Sequence, residues 1–218
     1  MKHNSLYSSQ LLAALVVSGF AVISAPAQPA PPQGALRFAN ASAEPDKIMV
    51  MIDTAKLRPD GFGPGDTTGA IGILAGAHKL TASAAGGKPT EASVTIQPNT
   101  ATTIVAYSKA VIDPLTRKPV NQLQLFTETD PPREKGKQFR MLFVSARPAA
   151  DVTINGQAKN LPALKTVKID NVARGAVKVE AAGKPVFDFT AEESGSFLII
   201  IFDKPDGTVG GVMLPDYG

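Results

Sequence analysis

The stretch Gly76-Ala77-His78-Lys79-Leu80, followed by Gly86-Gly87-Lys88-Pro89, returns about a hundred residues later as Gly175-Ala176-Val177-Lys178-Val179 followed by Ala182-Gly183-Lys184-Pro185. In the second copy Val177, Val179 and Ala181 alternate with Lys178 and Glu180, a period of two that puts one side of a strand on a core and the other in water. Each copy ends at a Gly-Lys-Pro turn signal. A strand and turn that recur at this spacing predict two similar units in tandem. Across the chain, apolar runs of four to six residues are separated by Gly, Pro, Asn and Asp, with no sustained helical period beyond the first residues. The fold class is therefore all-β: two tandem small β-sandwich domains, immunoglobulin-like or jelly-roll-like, after a signal peptide.

In the first unit the runs are Leu36 to Ala39, Ile48 to Ile52, Ile71 to Leu74, His78 to Ala82, Ala92 to Ile96, Thr102 to Tyr107 and Leu123 to Phe126. In the second they are Phe139 to Ser145, Asp151 to Ile154, Thr166 to Ile169, Gly175 to Ala181, Val186 to Thr190, Phe197 to Phe202 and Thr208 to Leu214. About seven strands per unit is a sandwich count. Asn155-Gly156 and Lys204-Pro205-Asp206-Gly207 signal tight hairpins. Phe197-Leu198-Ile199-Ile200-Ile201-Phe202 is apolar on both faces, which predicts a central strand covered on both sides, one of them by the other unit.

Five segments follow. Residues 1–27 read as a cleaved signal peptide, with Lys2, an apolar run from Leu11 to Ile23 and Ala25-Pro26-Ala27. That run is shorter than the roughly 20 residues a membrane span needs. Residues 28–34 form a Pro-rich tether held extended and outside any core. Residues 35–128 are the first sandwich, 129–138 a polar linker and 139–218 the second sandwich, each long enough for a core of its own. The expected location is periplasmic or extracellular.

Composition excludes much chemistry. Cysteine is absent from the 218 residues, which removes disulfides, thiolate ligands and a thiol nucleophile. The 22 basic residues lose Lys2 with the signal and face 19 acidic ones, a formal charge of +2. A balance so near neutral argues against a nucleic-acid partner, which requires a concentrated basic patch. His78 is the one histidine beyond the signal, and its counterpart Val177 is aliphatic, so the slot reads as a packed or surface strand position. Without another base, a Ser-His-Asp arrangement has no member to spare, and Glu193-Ser194-Gly195-Ser196 reads as a turn before a strand rather than a nucleophile elbow. One histidine does not make a zinc site, and the acids at Asp60, Asp66, Asp203 and Asp206 lack the spacing of a calcium loop. We expect no enzyme activity, no cofactor, no metal and no catalytic residues.

Two segments remain as candidate contact surfaces. The Gly-rich stretch Gly61-Phe62-Gly63-Pro64-Gly65 presents Phe62 as an exposed apolar anchor. Ser108 to Asn121, the largest departure between the copies, carries Lys109, Arg117 and Lys118 as a charged rim for an acidic partner or an anionic sugar.

Leu36-Arg37-Phe38-Ala39-Asn40-Ala41-Ser42, Val50-Met51-Ile52-Asp53, Ile73 to Leu80 and Thr95-Ile96-Gln97-Pro98-Asn99-Thr100 together resemble a family of exported bacterial β-sandwich domains of unknown function. The resemblance spans about Leu36 to Phe126 and, more loosely, Phe139 to Leu214. In plan the chain is similar to the alginate biosynthesis protein F family, exported accessory proteins of exopolysaccharide O-acetylation. That resemblance implies a non-catalytic adaptor or scaffold whose partners are envelope proteins, polysaccharide acetyltransferases among them. The alternative is an extracellular binding module for an anionic glycan. Tryptophan is absent and tyrosines number three, one of them in the signal, so the rings on which sugar-binding modules stack their ligands are scarce.

Overall fold

The structure, a computed structural model, describes residues 31–130, 138–144, 149–170, 175–191 and 196–216. The expected signal peptide, residues 28–30 of the tether and residues 193–195 of the expected turn lie outside the described residues. Every regular element among those described is a strand, arranged in four sheets of four.

The first half contains β1 (Gln33–Ala41), β2 (Ile48–Ile52), β3 (Ala55–Lys56), β4 (Ile71–Leu74), β5 (Gly76–Ala84), β6 (Thr90–Ile96), β7 (Ala101–Ile112) and β8 (Pro119–Thr129). The second contains β9 (Gln138–Val144), β10 (Ala149–Ile154), β11 (Gln157–Pro162), β12 (Thr166–Asp170), β13 (Gly175–Ala181), β14 (Lys184–Ala191), β15 (Ser196–Asp203) and β16 (Val209–Pro215). Sheet orders are β4-β1-β7-β8 and β3-β2-β5-β6 in the first half, β12-β9-β15-β16 and β11-β10-β13-β14 in the second. Strand by strand the second half repeats the first, including a parallel strand pairing in each, β1 with β7 and β9 with β15. The sequence repeat falls on β5 and β13, and both open on a glycine at positive φ, Gly76 (139°) and Gly175 (116°).

Among the described residues each half has eight strands rather than the seven expected. The extra ones, β3 and β11, are edge strands: both residues of β3 and the first four of β11 are exposed, so neither carries the apolar alternation that marks a strand in sequence. β11 is the far side of the expected Asn155-Gly156 hairpin, with Asn155 at φ 48° and Gly156 at φ 80°.

Two apolar cores lie between the paired sheets. In the first half Leu36 and Phe38 of β1 meet Ile48 and Val50 of β2, Leu80 of β5, Val94 of β6 and Ile104 of β7. In the second, Phe139, Met141 and Phe143 of β9 meet Val152, Val177, Val179, Ile199 and Ile201. A third cluster joins the halves: Ala39, Ala41, Val105 and Tyr107 from β1 and β7 pack with Leu142, Val144, Leu198, Ile200 and Phe202 from β9 and β15. β15 thus feeds both of its faces into apolar contact, as its sequence predicts. Fully burying each such side chain contributes about 1.5–3 kcal/mol.

Period two also sends Arg37 and Arg140 to the third cluster's side of β1 and β9. Both are buried, and their charges are met at the rim of that cluster. Arg37 pairs with Asp130 and donates to the Pro215 carbonyl. Arg140 grips Asp216 with two bonds (Nε to Oδ2 3.1 Å, Nη2 to Oδ1 2.7 Å) and reaches Asp130 (2.6 Å) and Glu128 (2.8 Å). Burial pulls the Arg140 guanidinium down, but Asp216, Asp130 and Glu128 outweigh it and hold the group above its ordinary value. Asp130 follows β8 as Asp216 follows β16, so each half supplies one arginine and one strand-end aspartate.

Two expected segment boundaries shift accordingly. Asp130, placed in the linker, is 4% exposed and belongs to this charge cluster, and Thr129 closes β8. Gln33 and Gly34, placed in the tether, open β1 opposite Leu74 and Ile73. Gly34 is required by close approach, since a Cβ there would stand 2.3 Å from the Gln97 carbonyl oxygen.

Candidate functional site

The segment from Ser108 to Asn121 is not a loop. β7 and β8 continue through it as a paired arm, with Lys109 opposite Gln122, Ala110 opposite Asn121, Val111 opposite Val120 and Ile112 opposite Pro119. The matching strands of the second half, β15 and β16, instead close at Lys204-Pro205-Asp206-Gly207.

The arm turns at Asp113-Pro114-Leu115-Thr116-Arg117-Lys118. Proline fixes φ early in the turn, Asp113 Oδ1 accepts the Leu115 and Thr116 N–H groups (2.7 and 2.8 Å), and Arg117 takes the left-handed conformation at φ 57°. Those two backbone bonds hold the Asp113 carboxyl below its ordinary value. Asp113 N–H donates to the Lys118 carbonyl and Arg117 N–H to the Asp113 carbonyl, both at 2.9 Å. Lys109, Arg117 and Lys118 are exposed, and none is ion-paired with another described residue. The arm therefore brings the three expected cations together on one hairpin end. Between its root and the β5–β6 turn lies a cleft of about 580 Å³, with Lys88, Asn121 and Gln122 offering polar groups, Glu44 and Asp113 carboxylates, and Ile112 and Leu123 apolar surface.

Phe62 is elsewhere, and its expected role is corrected. It is fully buried, and its ring lies 4.7 Å from that of Phe38 and beneath the Arg58 guanidinium (4.3 Å). Its backbone exchanges two hydrogen bonds with Ile48, and its carbonyl also accepts from Asn40 Nδ2. Gly61 (φ 72°) and Gly65 (φ 85°) supply the turns that fold the ring inward, and a Cβ on Gly61 would stand 2.8 Å from the Ile48 carbonyl oxygen. The Gly-rich loop does make a contact, but within the chain: Gly65 lies against Phe202 and Val212 of the second half.

His78 stands on β5 with both ring nitrogens occupied, Nδ1 by Asp53 Oδ2 and Nε2 by the Leu74 carbonyl, each at 2.8 Å. Asp53 (φ 52°) also accepts the Lys79 N–H through Oδ1 at 2.9 Å. In the second half Asn155 (φ 48°) accepts the Lys178 N–H at 2.8 Å, and Val177 replaces the histidine. The aspartate's shared role is thus to hold the strand, and the histidine is an addition of the first half. Two acceptors on one imidazole favour its cation. The Asp53 bond, then the Leu74 bond, raises His78 above its ordinary 6.5, and the His78 bond lowers Asp53 below 3.8.

A raised histidine contributes its stability fully below about pH 6.5 and loses it as pH climbs through the folded value. A lowered aspartate contributes above about pH 4 and loses it on acidification. The contact is complete between those limits. NMR titration of the His78 ring is expected to give a midpoint above 6.5, and Asp53→Asn to move it down. An unshifted midpoint in the unaltered chain would exclude the pairing.

Among the described residues no cluster of three His, Asp or Glu side chains could hold a metal ion, and no helix is long and apolar enough to cross a membrane. No protein-family model matches the chain, and no curated protein is significantly similar to it.

Proposed function

We propose that the chain is a non-catalytic exported adaptor: two sandwich domains that position other envelope proteins, serving as an accessory factor in exopolysaccharide O-acetylation. The observation that carries this reading is the β7–β8 arm, an extension by which the first half departs from the matching pair β15–β16 of the second. Departures of this kind from a shared framework are where binding tends to reside. The arm gathers Lys109, Arg117 and Lys118, which suits an acidic surface. His78 supports a non-catalytic reading, since neither nitrogen is free to accept a proton from a nucleophile. The acetylation context rests on the resemblance in layout.

The cleft at the root of the arm favours a second reading, a module for an anionic glycan. Its amides and Lys88 are groups that bind sugar hydroxyls and carboxylates, and Glu44 and Asp113 on the same lining accept from sugar hydroxyls. Affinity capture with residues 28–218 as bait, from a detergent-solubilised envelope extract, separates the two. The adaptor reading expects acetyltransferases of the envelope to be retained, and to be lost on neutralising Lys109, Arg117 and Lys118. Retention of acidic polysaccharide alone would replace it with the glycan module.

A further inference from the structure

Of the five large apolar side chains exposed among the described residues, three lie on the arm: Ile112 (62% exposed), Leu115 (91%) and Val120 (41%). The arm carries them with the three cations and one acid, Asp113, while a second acid, Glu44, lines the cleft at its root. We propose that the end of the arm docks on the surface of an anionic phospholipid bilayer, Leu115 and Ile112 entering the acyl boundary while Lys109, Arg117 and Lys118 meet the headgroups. This takes the arm as the contact element, as the adaptor reading does, and adds a lipid surface on which the adaptor is held.

The N–H groups of the turn are suited to that environment. A peptide N–H carried into an apolar layer without a partner is costly, and the turn carries none. Asp113, Leu115, Thr116 and Arg117 donate within it at 2.7–2.9 Å, Lys118 donates to Thr116 Oγ1 at 3.4 Å, and Pro114 has no N–H to satisfy. A hairpin end that closes its own donors, exposes a leucine and is ringed by cations has the division of labour of an interfacial membrane anchor, with apolar burial for depth and positive charge for attraction. A protein pocket for Leu115 would draw no benefit from three cations around it unless its rim were acidic. Charge complementarity therefore selects an anionic surface, and the protruding apolar end selects one that can be entered.

Because the chain contains no tryptophan, Leu115→Trp gives a single reporter at the tip. Residues 28–218, which include the whole compact unit Pro31–Gly218, are mixed with phosphatidylglycerol or phosphatidylcholine vesicles and assayed by flotation and by tryptophan emission. Binding and a blue shift are expected with phosphatidylglycerol alone. Neutralising Lys109, Arg117 and Lys118 together is expected to weaken binding about 100-fold, from roughly fivefold per cation near the surface. Leu115→Ser is expected to cost about tenfold, and added salt to weaken binding by screening.

No binding to phosphatidylglycerol overturns the proposal, as does binding with unshifted emission and no loss on Leu115→Ser, which would mark a polyanion contact without entry. The capture in detergent reports protein partners free of lipid. Vesicle failure with acetyltransferase retention leaves the adaptor standing, and the converse leaves only the membrane contact.

Discussion

Replacing Arg140 with methionine is expected to destabilise the protein by about 3–5 kcal/mol, the usual cost of removing one partner from a buried ion pair. The size follows from what is left behind. Glu128, Asp130 and Asp216 all take hydrogen bonds from this one guanidinium, so its removal deprives three carboxylates of a donor at once. Methionine keeps most of the volume, so the loss reports charge rather than a void. Arg140→Lys is expected to recover part of the loss, since a single ammonium cannot reproduce the two bonds to Asp216. Urea unfolding followed by circular dichroism measures the change. A loss below about 1 kcal/mol would place the pair in the class of weak surface bridges and would contradict the burial of the site.

Phe62→Ala is expected to cost a similar amount, about 3–5 kcal/mol, because it empties a closed position between Phe38 and Ile48. Phe62→Leu, which retains much of the volume, is expected to cost less. An exposed anchor would behave differently, since its replacement normally changes stability by no more than about 0.5 kcal/mol. Thermal or denaturant unfolding of the alanine variant therefore decides between core and surface roles, and an unchanged midpoint would restore the surface reading.

Much of the architecture was legible because a duplication displays itself. The repeated glycine, strand and turn mark β5 and β13, and the doubly apolar Phe197 to Phe202 predicts a strand with both faces covered, which the third cluster supplies. Other features were hidden because their causes are distant in sequence. Arg140 and Asp216 are separated by 76 residues and Arg37 and Asp130 by 93, so each reads locally as an ordinary solvated charge. Phe62 reads as exposed because its neighbours are glycine and proline, yet those glycines are what let the chain reverse and bury the ring. The arm reads as a loop because Asp113, Pro114 and the cations break its apolar pattern. The signal that could have identified it is Asp113-Pro114 set between Val111-Ile112 and Val120, a turn initiator between β-branched residues. At the candidate site the cations were legible from their charge. The cleft was not, because β5, β6 and the arm meet there only after folding.

The charge cluster also bears on the order in which the chain can fold. Arg37 is made early, yet one of its acceptors is the Pro215 carbonyl, 178 positions later. Until the chain has been made through Asp216, the completed first eight strands present Ala39, Val105 and Tyr107 uncovered beside an arginine that lacks that acceptor. The second half of another molecule offers the same surface as the missing one. Exchange of halves between chains would bury the same surfaces through the same contacts as the monomer.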